Sequence, residues 1–341
     1  MRLEIIRDKN RWIDALDEIK KFDPCHRYSF HNAYKYHMDA KDLLMIRIQQ
    51  GEKLILYPMI IFPIPDTFQG KTYSYATSAY GFTGFLNNYS GEFLRIGFQE
   101  IDNWLLKNNI IAEFIRFSPF TFNLMNKIES FGYKLSINRK LSIWNTSLIE
   151  NPEDESHYSC NMSRRAKKLG AVFREIKINE FPKFKDLYDK TMRINNAKKF
   201  FEYSSIYYKT LLDKKEINNN HFYGVFKDNE LISAAWFISN KETAYYHLGC
   251  SVRKIPGSSD YVLRESLKLL VKQGIKKVNL TGGRTTDERH PLLKFKKRIG
   301  NSTADYFVAT RSLNLPLYRK IKDQYLTKSR IKDTQKFIPW S

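Results

Sequence analysis

Cysteine is scarce: Cys25, Cys160 and Cys250 are the three in 341 residues, and no two stand at C-x-x-C spacing. That excludes a disulfide framework and a cysteine zinc site, and it suits a reducing cytoplasm. Long apolar runs are missing too. The longest, 54–64, is broken by Pro58 and Pro63 and falls short of the roughly 20 residues that span a bilayer. The start, Met1-Arg2-Leu3-Glu4, has no apolar core of a secretory leader. A soluble chain without stable membrane insertion is expected. No heptad run is sustained, so a long coiled-coil arm is not expected. Asp287-Glu288-Arg289-His290 lacks the paired histidines of H-E-x-x-H, and Gly282-Gly283-Arg284-Thr285 lacks the lysine and spacing of a P-loop. No metal site is expected.

Acidic residues are under-represented, with 36 Asp and Glu against 57 Lys and Arg, for a formal charge of +21. Such a field favours phosphate-bearing partners: nucleotides, CoA, RNA or an anionic membrane surface. The abundance of lysine throughout makes the charge permissive rather than diagnostic. Hydrophobic residues at 42% and aromatics at 15% are enough to build packed cores. The length points to about two domains.

Residues 9–21 show helical spacing, with Trp12, Leu16 and Ile19 on one face. Residues 43–49 and 54–62 read as strands around a Gly51-Glu52 turn. Ser74 to Gly84 reads as a strand entering a glycine loop. A helix with Phe98, Ile101 and Leu105 inward, a strand over 110–117, a helix over 122–131 and a strand over 133–144 follow. The polar stretch 145–155 is the expected boundary, giving domains 1–150 and 151–341. Beyond it come a basic helix through 162–168, a strand near 172–178, helices at 184–192 and 203–212, and three strands at 222–227, 231–238 and 243–251. Helix 260–273, strand 276–280, a helix around 292–298, strand 305–309 and a basic helical tail complete the chain. The two halves repeat one order (strand, glycine loop, helix, strand, helix, strand), which predicts a duplicated α/β domain.

The stretch from Tyr245 to Gly283 organises the second half. The strand Tyr245-Tyr246-His247-Leu248-Gly249-Cys250-Ser251 empties into Arg253-Lys254-Ile255-Pro256-Gly257-Ser258-Ser259, which opens a helix; the next strand ends in Asn279-Leu280-Thr281-Gly282-Gly283. Amides in a glycine turn at a helix N-terminus form an anion site. A plain crossover with a basic surface turn is the bland alternative.

These segments resemble the Fem-type aminoacyltransferases and their relatives, built from two domains of the GNAT N-acetyltransferase type. The resemblance spans roughly residues 70 to 310. It rests on Ala79-Tyr80-Gly81-Phe82-Thr83-Gly84, Arg116-Phe117-Ser118-Pro119, Ser163-Arg164-Arg165-Ala166 and Tyr188-Asp189-Lys190-Thr191-Met192 with Ala197 and Tyr203. Tyr246-His247-Leu248-Gly249, Asn279-Leu280-Thr281-Gly282-Gly283 and Phe295-Lys296 complete it. Thr281 stands where a glycine is expected, and Ser259 where relatives often carry asparagine. The resemblance implies an α/β fold of two tandem GNAT-like domains, each a mixed central sheet flanked by helices, with the acyl-donor site in the second.

It also implies acyl transfer to a primary amine. In size and layout the chain is similar to sugar N-acyltransferases that use acyl-CoA on a nucleotide-linked (dTDP) amino sugar for lipopolysaccharide, O-antigen or capsule synthesis. The alternative is a tRNA-dependent aminoacyltransferase acting on a peptidoglycan precursor. A non-catalytic basic module binding RNA or anionic membrane is a third possibility.

By the same resemblance Ser251, Arg253, Lys254, Gly257, Ser258 and Ser259 are the expected CoA or phosphate contacts. Tyr80, Tyr203, Tyr246 and Lys296 are the expected acceptor contacts. His247 is the general-base candidate by residue type, since imidazole titrates near neutrality, with a core histidine as the alternative. Lys296 is a candidate for the developing oxyanion; equally, Lys294, Lys296, Lys297 and Arg298 would make a solvated helix face. Asp287 and Glu288 are further base candidates, more simply read as loop solubilisers. Strand alternation puts Tyr245, His247 and Gly249 on one face and Tyr246, Leu248 and Cys250 on the other, which argues against a Cys-His dyad.

Overall fold

The computed structural model describes residues 1–65, 67–124, 127–148, 157–214, 216–252, 254–283, 285–329 and 337–339. Two compact units divide the chain: Met1–Asn138 with Tyr306–Ser341, and Arg139–Asp305.

The first unit begins with β1 (Arg2–Ile6), α1 (Lys9–Ile19) and α2 (Tyr28–His37). The Asp8 side chain caps α1 by accepting the Arg11 amide at 3.0 Å. The strands β2 (Asp42–Gln50) and β3 (Lys53–Pro63) form a hairpin in register from Asp42↔Ile61 to Gln50↔Lys53. After β4 (Ser74–Thr77) and the short β5 (Leu86–Asn87) come α3 (Glu92–Lys107) and β6 (Ile110–Arg116). The apolar face of α3, with Phe93, Leu94, Phe98, Ile101 and Leu105, packs into one core with Ile46, Ile48, Ile55 and Tyr57. Burying each such side chain contributes about 1.5–3 kcal/mol. β4 lies antiparallel to β3 and parallel to β6.

From β7 (Lys134–Asn145) the chain enters the second unit, through α4 (His157–Lys168), β8 (Val172–Glu175), α5 (Phe181–Ile194) and α6 (Ser205–Leu211). Then come β9 (Asn220–Lys227), β10 (Glu230–Ser239), β11 (Thr243–Ser251), α7 (Ser258–Lys272), β12 (Lys277–Gly282) and α8 (Pro291–Lys297). The sheet runs β8-β9-β10-β11-β12-β7. One core joins Val262, Leu263, Leu267 and Leu270 of α7 and Ala166 of α4 to Val225, Ala235 and Phe237 of the sheet. Phe181 and Phe184 of α5 and Tyr208 of α6 pack on Phe222 and Trp236 instead.

The strand β13 (Ser302–Ser312) and helix α9 (Leu315–Ser329) return to the first unit, where β13 pairs antiparallel with β6 from Val308↔Arg116 to Ser312↔Ala112. Reciprocally, β7 closes the second sheet, pairing with β12 from Lys277↔Asn145 to Gly282↔Leu141. The last strand of each repeat thus completes the sheet of the other. For that reason the compact units part at Asn138 and Asp305, where the sequence alone suggests one division near residue 150. The helix expected over 122–131 reduces to a 3-10 turn at Ile128–Phe131, with residues 125 and 126 outside the described set.

The first unit buries a charge cluster. Glu113 is fully buried and accepts from Tyr57 Oη at 2.6 Å and Arg311 Nε at 2.7 Å. Arg311 also pairs with Asp102 at 2.7 Å.

Candidate functional site

The site grows out of the pairing of β11 with β12. The two strands are parallel, yet their register covers only Thr243↔Lys277 to Tyr245↔Asn279. Both continue, to Ser251 and Gly282. Past Tyr245 and Asn279 that pairing ends, and a cavity of about 610 Å³ lies beside β11. Tyr246, Gly249, Cys250 and Ser251 of β11 line it, with Gly257 to Asp260 at the start of α7 and Phe295 of α8. The volume is that of a cofactor or substrate pocket.

A bulge shapes β11. Phe237 pairs with Tyr246 and Trp236 with Leu248, which leaves His247 as the extra residue. The bulge resets the alternation. Gly249 now shares a face with Tyr246, opposite Ala235 and Phe237, and Cys250 shares the Trp236 face with His247. This corrects the faces expected from strict alternation. A thiol nucleophile is still not favoured at Cys250, because burial pushes its pKa well up.

His247 is bonded through Nε2 to the Tyr207 hydroxyl at 2.9 Å and lies edge-on to Trp236 at 4.8 Å. Burial pushes its pKa down to about 3. Tyr203 stacks on Tyr207 at 4.1 Å, so these two expected site residues belong to the aromatic layer of α6 and are not among the cavity's lining residues. Tyr80 belongs to the first unit, where its ring lies 6.1 Å from Tyr34 and 5.7 Å from the Arg116 guanidinium.

Lys296 is buried, not part of a solvated face. Its Nζ lies 5.5 Å from the centre of the Tyr246 ring. It donates to Thr281 Oγ1 and, at 3.4 Å, to the Gly282 carbonyl. Burial first, and the nearby Arg139 charge second, push its pKa down to about 7. Near neutrality Lys296 therefore populates both protonation states, as a proton-transfer group requires.

At the other rim, Gly257 caps α7 with φ +84°, and a β-carbon there would stand 2.1 Å from the Met162 carbonyl. Only glycine fits. The Tyr261 amide bonds the Gly257 carbonyl at 2.8 Å, and the Ser258 amide bonds Ile255 O at 3.3 Å. Lys254 is engaged with Glu230 at 2.5 Å, and Arg253 lies outside the described residues. The Ser251 amide donates to Thr191 Oγ1 at 3.1 Å. Ser258 and Ser259, at the start of α7, line the same rim. Sequence reasoning missed Asp260, buried at the same rim and 3.4 Å from Arg298 Nη2; an acidic residue in the first helical turn was the available signal.

Among the described residues, no group of three or more His, Cys, Asp or Glu is placed to hold a metal, and no helix is long and apolar enough to cross a membrane. No family model matches the chain, and no curated protein matches it in sequence. Solved structures do match in fold. FemX superposes with a TM-score of 0.70 at 13% identity, over 93% of this chain and 99% of that one. L-PGS from Bacillus licheniformis gives 0.57 at 12%, over 93% and 96%. A tandem GNAT protein from the clavulanic acid biosynthesis pathway gives 0.52 at 11%, over 92% and 99%. The chain has a tandem GNAT-like α/β fold, each unit a mixed sheet with flanking helices.

Proposed function

We propose that the protein is an N-acyltransferase that carries an acyl group from acyl-CoA to the primary amine of a nucleotide-linked (dTDP) amino sugar. The observation that carries this is the cavity beside β11, beyond that strand's pairing with β12, closed at one rim by the start of α7. A thioester arm laid along β11 beyond Tyr245 would replace the missing sheet partner, and the α7 start at Ser258 and Ser259 would meet its phosphates. Lys254 and Ser251 contribute less directly, since each already has a partner.

In the reaction the neutral amine attacks the thioester carbonyl, a C–N bond forms and the C–S bond breaks. The proton lost by the amine goes to a base, and the departing thiolate gains one. Lys296, poised near pH 7 and set against Tyr246, is the proton-handling group in this scheme. Tyr246, as a cavity wall, would contact the acyl group or the acceptor. His247 faces the α6 layer and would act through the shape of β11. Donor and acceptor of this kind are made in the cytoplasm, which is where the reaction would run.

The similarity to FemX supports a second reading, an aminoacyl-tRNA donor with a peptidoglycan-precursor acceptor. Mass spectrometry separates the two. Purified protein is incubated with dTDP-amino sugars and a panel of acyl-CoAs, beside matched aminoacyl-tRNA reactions. An acyl-sized gain on the sugar with release of free CoA supports the first reading. An aminoacyl gain that ribonuclease abolishes, with no CoA turnover, replaces it with the second.

A further inference from the structure

We propose that Thr281 is a positioning residue that fixes the Lys296 amine beside Tyr246, and that its strained backbone is retained for this purpose. The inference rests on the proton-handling role given above to Lys296. Thr281 has φ +67°, a left-handed conformation that a β-branched residue adopts only at a cost. Glycine would relieve it. The structure keeps threonine and uses its side chain, because Oγ1 accepts a hydrogen bond from Lys296 Nζ.

The turn itself is braced from below. The Thr281 amide donates to Asn279 Oδ1 at 2.8 Å, and Asn279 is fully buried at the last paired position of β12 with β11. The point where that pairing ends thus dictates the turn, the turn presents the hydroxyl, and the hydroxyl holds the amine. The groups facing Lys296 are Arg139 of β7, Tyr246 of β11, and Thr281 with the Gly282 carbonyl of β12. No carboxylate is among them. Without the Thr281 hydroxyl the buried ammonium keeps the Gly282 carbonyl but loses its other acceptor, which disfavours the charged form.

The test compares Thr281→Gly and Thr281→Ser in the full chain. The Lys296 side-chain NMR signal, assigned by its loss in Lys296→Arg, is titrated in each protein. Wild type is expected to titrate near 7. Thr281→Gly should melt at a higher temperature, since glycine accepts the turn, yet its Lys296 midpoint should fall by roughly one pH unit or more, because the ammonium loses an acceptor. Thr281→Ser, which keeps the hydroxyl, should titrate like wild type. An unchanged midpoint in Thr281→Gly, or a serine variant that behaves like the glycine one, overturns the proposal. Where a donor and acceptor pair is turned over, Thr281→Gly should also lower kcat about tenfold or more with KM little changed. A wild type that turns over none of the substrates would count against the proposed reaction alone, because the titration still decides the role of Thr281.

Discussion

The Tyr246 hydroxyl occupies the space a β-carbon at Gly249 would fill: built on the Gly249 backbone, that atom would stand 1.5 Å from it. The bulge at His247 brings the two residues onto one face of β11, and both line the cavity. Gly249→Ala therefore has to push the phenol aside. Because the displaced atom ends a side chain, the fold should survive with a loss of about 1–3 kcal/mol. Acyl-CoA affinity measured by calorimetry should fall about tenfold or more, through the altered wall. Unchanged affinity would separate Tyr246 from the donor site.

Lys296 should make stability depend on pH in a defined window. Below pH 7 the amine is protonated in both folded and unfolded chains, so its burial is fully penalised. Between about 7 and the ordinary value of 10.5 the unfolded chain holds a proton that the folded one does not, and stability rises with pH. Lys296→Met lacks this contribution. The stability advantage of Lys296→Met over wild type, from urea unfolding, should shrink by on the order of 3 kcal/mol between pH 6.5 and 9.5.

His247 shows the same sign in a lower pH window. Its folded pKa of about 3 lies below the ordinary 6.5, so the unfolded chain binds the extra proton and stability falls as pH drops through that interval. His247→Phe should unfold at lower pH than wild type. Loss of a general base costs about 10²–10⁴-fold in rate; a residue that shapes the bulge should cost less. A rate loss of that full size in His247→Phe, with the fold intact, would return the base role to His247.

Arg311 neutralises Glu113 inside the first unit at 2.6 Å. Arg311→Ala would leave a buried carboxylate without its cation, a loss of about 3–5 kcal/mol. Urea unfolding should show it in a transition of the first unit. Removal of residues 306–341 should be worse, since β13 goes with Arg311 and exposes the β6 edge.

Local pattern made much of the chain legible. The β2–β3 hairpin announced itself by alternation about Gly51, α3 by the spacing of Phe98, Ile101 and Leu105, and the β11-α7-β12 crossover by its glycine turn. The helix α2 was missed because Tyr28–His37 carries aromatics without a clean apolar stripe. The bulge was invisible because one inserted residue reverses every later face and leaves no trace in composition. Lys296 looked like its exposed neighbour Lys294, and only the fold tells a buried lysine from a solvated one. Strand exchange was the least legible, since β6 with β13 and β7 with β12 are pairings of high sequence separation.

That exchange bears on synthesis. A nascent chain that has emerged as far as Asn138 has made β6 but not its partner, and the edge of that strand stays open while Arg139–Asp305 is translated, a wait on the order of ten seconds. An open edge is a template for pairing with other chains. Glu113 spends the same interval without the guanidinium that later neutralises it. A ribosome-associated chaperone that shields the first half until Ser312 appears would raise the yield of folded protein. Expression of either half alone would leave one sheet permanently short of its last strand.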